Sequence, residues 1–418
     1  MISDIEKDHT PEIRFSEFRD VWRKSTLSEL AVGGFSNGVF NDAKNAGSGY
    51  RLVNVKDMYE GDAINVDNLT LLSISEKEFE RNKVKFGDIF FTRSSIVKEG
   101  IAWSNVMLDK PEDITFDGHL IKMSLDLQKV DPRFFSKALK KSSVRKQIVA
   151  RGKTATMTTI GQEDMATVVV YIPVLLEEQQ KIATFLSSID DKLNKLRRQR
   201  ELLETYKRGL MQKFFSQEIR FKQDDGSDFP DWEEQPLCSV AVKRTTKNTD
   251  DSVSRVLTNS ATRGVVNQQD YFDKDIANAN NLEGYYVVDK GDYVYNPRLS
   301  VHAPVGPINK NNVGKGLISP LYSVFRFKDE NNEFYKQYFK TTLWHHYMCR
   351  VANYGARHDR MNISTADFMS MPLPCPHPNE QAKIVAFFRA MDGKIEAAAQ
   401  QVEKIDTFKK GLLQKMFV

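Results

Sequence analysis

Residues 178–215 and 380–417 are two copies of one block, and the offset between them is 202 from start to finish without a gap. Each copy opens on a shared signature, Glu178-Gln179-Gln180-Lys181-Ile182 and Glu380-Gln381-Ala382-Lys383-Ile384. Each closes on another, Lys207-Arg208-Gly209-Leu210-Met211-Gln212-Lys213-Phe214-Phe215 and Lys409-Lys410-Gly411-Leu412-Leu413-Gln414-Lys415-Met416-Phe417. A repeat of this length in a chain of 418 residues divides it into two domain-plus-helix units, so the function is one performed twice at a fixed separation.

Inside the blocks the apolar residues recur every seven positions. Ile182, Ile189, Leu196, Leu203 and Leu210 form one seam, and Ile384, Met391, Ala398, Ile405 and Leu412 form the other. With no proline inside either block, this spacing predicts two long helices packed as a coiled coil, each about 57 Å long at about 1.5 Å per residue. Antiparallel packing follows from connectivity, because a parallel pair would force the segment between the helices to carry the chain back along their whole length. The copies then stand related by a pseudo-twofold axis. The expected fold is α+β: two mixed α/β domains joined by two long antiparallel coiled-coil helices.

The repeat continues more weakly into the segments before each helix. Both open on Glu-Ile-Arg-Phe, at 12–15 and 218–221, followed by Trp22 with Leu27 and by Trp232 with Leu237. Gly87-Asp88 and Gly291-Asp292 each precede an alternating β-branched and aromatic run, the pattern of a tight turn entering a strand. Elsewhere the two segments share little. The frame is duplicated and the surface has diverged, as expected if each head recognises something different.

These features resemble the DNA-specificity subunit of type I restriction-modification systems: the Glu-Gln-x-Lys-Ile start and the Gly-Leu-Leu/Met-Gln-Lys close, occurring mid-chain and again at the C-terminus after two divergent regions. The resemblance covers the whole chain. It implies two target-recognition domains, residues 1–177 and 217–378, each reading one half of an asymmetric, bipartite site on double-stranded DNA, with conserved long helices at 178–216 and 379–418 fixing the unread spacer. It also implies two methyltransferase subunits docked on the helices and motor-nuclease subunits joining them. S-adenosylmethionine, ATP and Mg are then expected on the partner subunits and none on this chain. Pro374 and Pro376 lead into the second helix, whereas the first entry has only Pro173.

For base contacts the residue types point to Arg93, Ser94, Lys153, Thr154 and Thr156 in the first head, and to Arg298, His302, Arg357, His358, Arg360 and Asn362 in the second. Arginine can bridge guanine O6 and N7, and asparagine adenine N6 and N7. The plain alternative for each is a solvated charge or a phosphate contact. Lys140, Lys141, Arg145 and Lys146, on a short basic helix, are expected at phosphates, and Phe215 and Phe417 are expected as exposed docking positions for partner subunits.

Catalysis is not expected of this chain. Asn296-Pro297-Arg298-Leu299 lacks the second proline and the aromatic of an amino-methyltransferase loop, and Gly314-Lys315-Gly316 lacks a P-loop's first glycine and its Ser or Thr. Seven histidines and three cysteines, Cys238, Cys349 and Cys375, show no metal-ligand spacing, so no metal is expected. With no apolar run near membrane-spanning length and no signal-peptide pattern, the expected location is cytoplasmic. The net charge of +4 permits a nucleic-acid ligand without requiring one. Two readings from other classes are a two-headed protein-binding scaffold and a catalytic DNA methyltransferase; salt-dependent duplex binding separates the first, and methyl transfer by the isolated chain the second.

Overall fold

The computed structural model describes residues 9–270, 282–353 and 359–418. Two long helices dominate it, Leu176–Phe215 and Pro378–Lys415. The chain forms two compact units: Met1–Arg197 with Gln400–Val418, and Arg198–Ala399. Each unit therefore holds one head together with the beginning of one long helix and the end of the other.

In the first unit the central sheet is antiparallel, in the order Ala31–Asn37, Leu120–Leu125, Asp88–Thr92, Ser104–Val106. The entry strand Arg23–Thr26 pairs with the exit strand Val169–Ile172, which leads into the first long helix. The second unit repeats this plan. Its central sheet runs Ala241–Arg244, Ser323–Phe327, Tyr293–Tyr295, Ile308–Lys310, and its entry strand Glu233–Pro236 pairs with Pro372–Cys375. The Gly-Asp turns fall where the sequence places them. Gly87 and Gly291 adopt φ of +86° and +94°, which disfavours any residue with a Cβ. The buried carboxylates of Asp88 and Asp292 accept from the backbone N–H three residues earlier, Lys85 and Asp289, both at 2.8 Å.

The duplicated signatures prove to be the joints between heads and helices. In the first unit the buried Glu178 carboxylate accepts from Arg14 Nε at 2.7 Å, from Arg14 Nη2 at 2.8 Å and from Trp22 Nε1 at 3.2 Å. In the second, Glu380 accepts from Arg220 Nε at 3.1 Å, from Arg220 Nη2 at 2.8 Å and from Trp232 Nε1 at 2.9 Å. Three sequence landmarks, the Glu-Gln start, the Glu-Ile-Arg-Phe opening and the tryptophan, thus meet in one buried lock per unit. The satisfied bidentate geometry is what makes burial of these charges tolerable.

The closing signature of the opposite helix completes each joint. Phe417 packs on Trp22 and Phe134, with ring centroids 6.2 and 5.2 Å away, and Phe215 packs on Trp232 and Phe334 at 6.4 and 5.1 Å. Both phenylalanines are core residues, 3% and 5% exposed, which corrects the expectation of exposed docking positions. The heptad pattern showed that they lie near the seam; it could not show that the head's own tryptophan covers them.

Within each unit the helix segments run antiparallel. In the first, Asp190 meets Lys409 while Arg197 meets Asp406; in the second, Lys207 meets Asp392 at 2.6 Å and Phe214 packs on Phe388. Ile182, Ile189, Ile384, Met391, Ala398 and Leu412 are buried, and Leu196, Leu203, Leu210 and Ile405 are half-buried.

Candidate nucleic-acid interface

In the first unit, the central strand Asp88–Thr92 runs out into Arg93 and the two-residue strand Ser94–Ser95. That strand pairs with Thr158–Thr159, which pairs in turn with Lys153–Thr154, giving a small three-stranded sheet. Arg93 is fixed by its backbone, its N–H donating to the His119 carbonyl at 2.9 Å and its carbonyl accepting from Ile160 N–H at 3.1 Å, while its side chain is exposed. All five residues predicted for this head, Arg93, Ser94, Lys153, Thr154 and Thr156, are therefore brought together on one sheet and its connecting hairpin. Lys153 is engaged with Asp164 at 3.0 Å, and this hydrogen bond holds the Asp164 carboxyl below its ordinary range. Exposed His119, bonded to Asp117 at 2.7 Å, stands beside Arg93. No sequence signal marks it, because a lone histidine two residues after an aspartate carries no motif.

The second unit builds the corresponding ladder from different residues. Leu299 N–H donates to the Asp359 carbonyl at 2.9 Å and Met361 N–H to the Pro297 carbonyl at 3.0 Å, which sets Arg298 opposite Arg360. Asn362 exchanges backbone hydrogen bonds with Asn353 at 3.2 and 2.8 Å. Arg298, Arg360 and Asn362 are exposed on this ladder, and exposed His302 occupies the turn that follows Arg298. Arg357 and His358 lie outside the described residues. Asn296 is structural: its amide donates to the Asn259 carbonyl at 2.9 Å and accepts from Arg298 N–H at 3.0 Å.

The basic helix of the first head is used differently from the expectation. Lys140 pairs with Asp62 at 2.9 Å. Lys141 donates to the carbonyls of Gln414 and, at 2.7 Å, Phe417, satisfying groups at the end of the second long helix. The Arg145 guanidinium donates to three carbonyls, Glu99 at 2.8 Å, Ile101 at 2.7 Å and Ala102 at 2.9 Å. Of the four phosphate candidates, only Lys146 is exposed without such an internal role among the described residues. Backbone carbonyls that need a cation are invisible in a sequence, so a clamp and a phosphate contact look alike there.

Among the described residues no group of three or more His, Cys, Asp or Glu side chains is arranged to hold a metal ion, and no helix is long and apolar enough to cross a membrane.

Known proteins share this architecture. The family description "Type I restriction modification DNA specificity domain" matches twice, at residues 20–204 and 232–407, and the chain belongs to that family. Its function is accordingly sequence-specific recognition of DNA. A putative type I restriction enzyme MjaX specificity subunit from Methanocaldococcus jannaschii is 24% identical over 363 residues, spanning 81% of this chain and 80% of that protein. The type I restriction enzyme MjaVIII specificity subunit of the same organism is 24% identical over 298 residues, 67% of each chain. The fold is that of the crystal structure of the type I restriction-modification S subunit from M. genitalium, with a TM-score of 0.53 at 14% identity over 98% of this chain and 99% of that one. A chain from a structural study of complex assembly and conformational transition in the type I R-M system aligns with a TM-score of 0.56 at 16% identity, covering 94% and 97%.

Proposed function

We propose that this chain is the non-catalytic recognition subunit of a type I restriction-modification complex, with heads at residues 1–177 and 217–378 that each read one half of an asymmetric, gapped site. The helices at 178–216 and 379–418 set the unread spacer and dock two methyltransferase subunits, which motor-nuclease subunits join. S-adenosylmethionine, ATP and Mg act on those partners, and the complex works on cytoplasmic DNA. The observation that carries this reading is the ladder beyond the central strand, built on the same plan in both units but furnished with Arg93, Ser94, Lys153 and Thr154 in one and Arg298, Arg360 and Asn362 in the other. A shared frame with unlike donors and acceptors is what reading two unlike half-sites requires.

Single-molecule methylation mapping tests it in cells carrying the chain and its methyltransferase partner. The intact gene should yield a gapped asymmetric motif that disappears on deletion, and Arg93→Ala should relax or abolish one half of it while leaving the other half intact. A motif unchanged by deletion, with the partner expressed and active, would transfer the assignment to a two-headed protein scaffold.

A further inference from the structure

The heads have diverged in almost every surface residue, yet each carries a nearly fully exposed aliphatic side chain three residues after its ladder arginine. Ile96 follows Arg93 and is 88% exposed; Val301 follows Arg298 and is 96% exposed. A single exposed aliphatic needs no explanation. The Gly-Asp turns align Val301 with Val97, itself 62% exposed, and place Ile96 one position earlier, so each head presents an exposed aliphatic on the turn that follows its proposed base contacts, and that recurrence does need one.

Both are held on turns that the structure invests in. Ile96 leaves the paired strand Ser94–Ser95, whose Ser95 hydroxyl donates to the Val97 carbonyl at 2.7 Å. The next turn is tied down by Gly100 N–H on the same Val97 carbonyl at 2.9 Å and by the three-carbonyl clamp of Arg145 on Glu99, Ile101 and Ala102. Val301 occupies a two-residue turn closed by Ser300 and Ala303, which exchange backbone hydrogen bonds at 3.1 Å in both directions, and Ala303 is anchored in the core at 6% exposure. A side chain fixed in this way loses little further backbone freedom on contact.

We propose that Ile96 and Val301 are specificity-determining apolar contacts, each seated against the apolar surface of bases in the half-site its own head reads. That surface is either a thymine methyl group in the major groove or the faces of an opened base step. The inference rests on the DNA-recognition reading above and deepens it. It also gives Arg145 a role that counting charges cannot, as the residue that ties down the turn following Ile96.

The test uses the full chain assembled with its methyltransferase subunits and a duplex carrying the mapped methylation motif. Ile96→Ser and Val301→Ser remove no buried surface, so melting should be unchanged, and each should weaken binding to the motif by about tenfold, the scale of a lost base contact. The slope of affinity against salt should stay as in the wild type, because no phosphate contact is lost. Ile96→Leu should retain binding. Replacing thymines of that half-site by deoxyuridine should erase the difference between wild type and Ser variant if the contact is a methyl group. A 2-aminopurine placed at one step should lose its binding-induced fluorescence in the Ser variant if the contact is an opened step. Ser variants that bind within twofold of wild type, or weakened binding with neither signature, overturn the proposal. A wild-type complex that fails to bind the motif duplex at all would instead overturn the recognition reading beneath it.

Discussion

Glu178 and Glu380 carry most of what the recurring Glu-Gln signature means at the scale of a residue. Each is a buried carboxylate with two guanidinium donors and an indole N–H, so truncation deprives a half-buried arginine and an indole N–H of this acceptor, which is more than the loss of a surface ion pair. Glu178→Ala is expected to destabilise the first unit by about 3–5 kcal/mol, with a smaller loss for Glu178→Gln, which keeps an acceptor. Chemical denaturation followed by the fluorescence of Trp22 reads this, and a loss under about 1 kcal/mol for Ala would refute the lock. Asp62 makes a second residue-scale prediction. Burial alone would raise its carboxyl, but Lys140, with Lys137 and Lys409, holds it well below the ordinary range. A depressed folded pKa contributes stability that is present above the unfolded value, about 3.9, and is lost as pH falls toward the folded one. The first unit should therefore lose stability below about pH 4 more steeply in the wild type than in Asp62→Asn, by thermal melting across pH. At this scale the sequence was legible in kind but not in role. Lys141 and Arg145 read as DNA-facing charge, whereas they answer carbonyls brought near by tertiary structure, and the Trp22–Glu178 pairing across 156 positions has no local signature.

The long helices are the elements that sequence periodicity describes best, since a seven-residue recurrence without proline admits few alternatives over such a length. Which apolar positions are left uncovered was not legible, because the heads bury the ends of the seam. Phe215 and Phe417 vanish into the joints, and the exposed aromatics on the helices are instead Tyr206 and Phe408, 59% and 56% exposed. They occupy the same position of the duplicated block, 202 residues apart, which is what the proposed docking of two identical subunits calls for. Tyr206→Asp and Phe408→Asp are expected to weaken assembly with the methyltransferase subunits without altering melting of the chain. Phe417→Asp should instead unfold the first unit, where burying an unpaired carboxylate against Trp22 and Phe134 is costly. Size-exclusion chromatography of co-expressed subunits separates the two behaviours; full assembly by both aspartate variants at Tyr206 and Phe408 would remove these residues from the docking surface.

At the scale of the whole molecule, the duplication was legible from a single number, the offset of 202, whereas the divergence of the recognition surfaces hides the common plan of their ladders until the backbone pairing is seen. The parts that hold a head in place correspond across the copies: Arg14, Trp22 and Glu178 with Arg220, Trp232 and Glu380, Asp190 with Asp392, Lys409 with Lys207, and Phe417 with Phe215. A chain made of residues 1–217 followed by residues 12–215 would then meet every one of these joints with its proper partner type. In the first unit, Lys207 would take the place of Lys409 beside Asp190, and Phe215 that of Phe417 on Trp22. Leu210 replaces Leu412 without change of type, and Phe214 replaces Met416, a volume increase in the first core that costs about 1–3 kcal/mol. Expressed with the methyltransferase partner, this chain should direct methylation to a site in which the first half-site occurs twice and the second is absent. Assembly of the complex without such a methylated site would mean that half-site choice is not confined to the separate heads, and would refute the modular assignment.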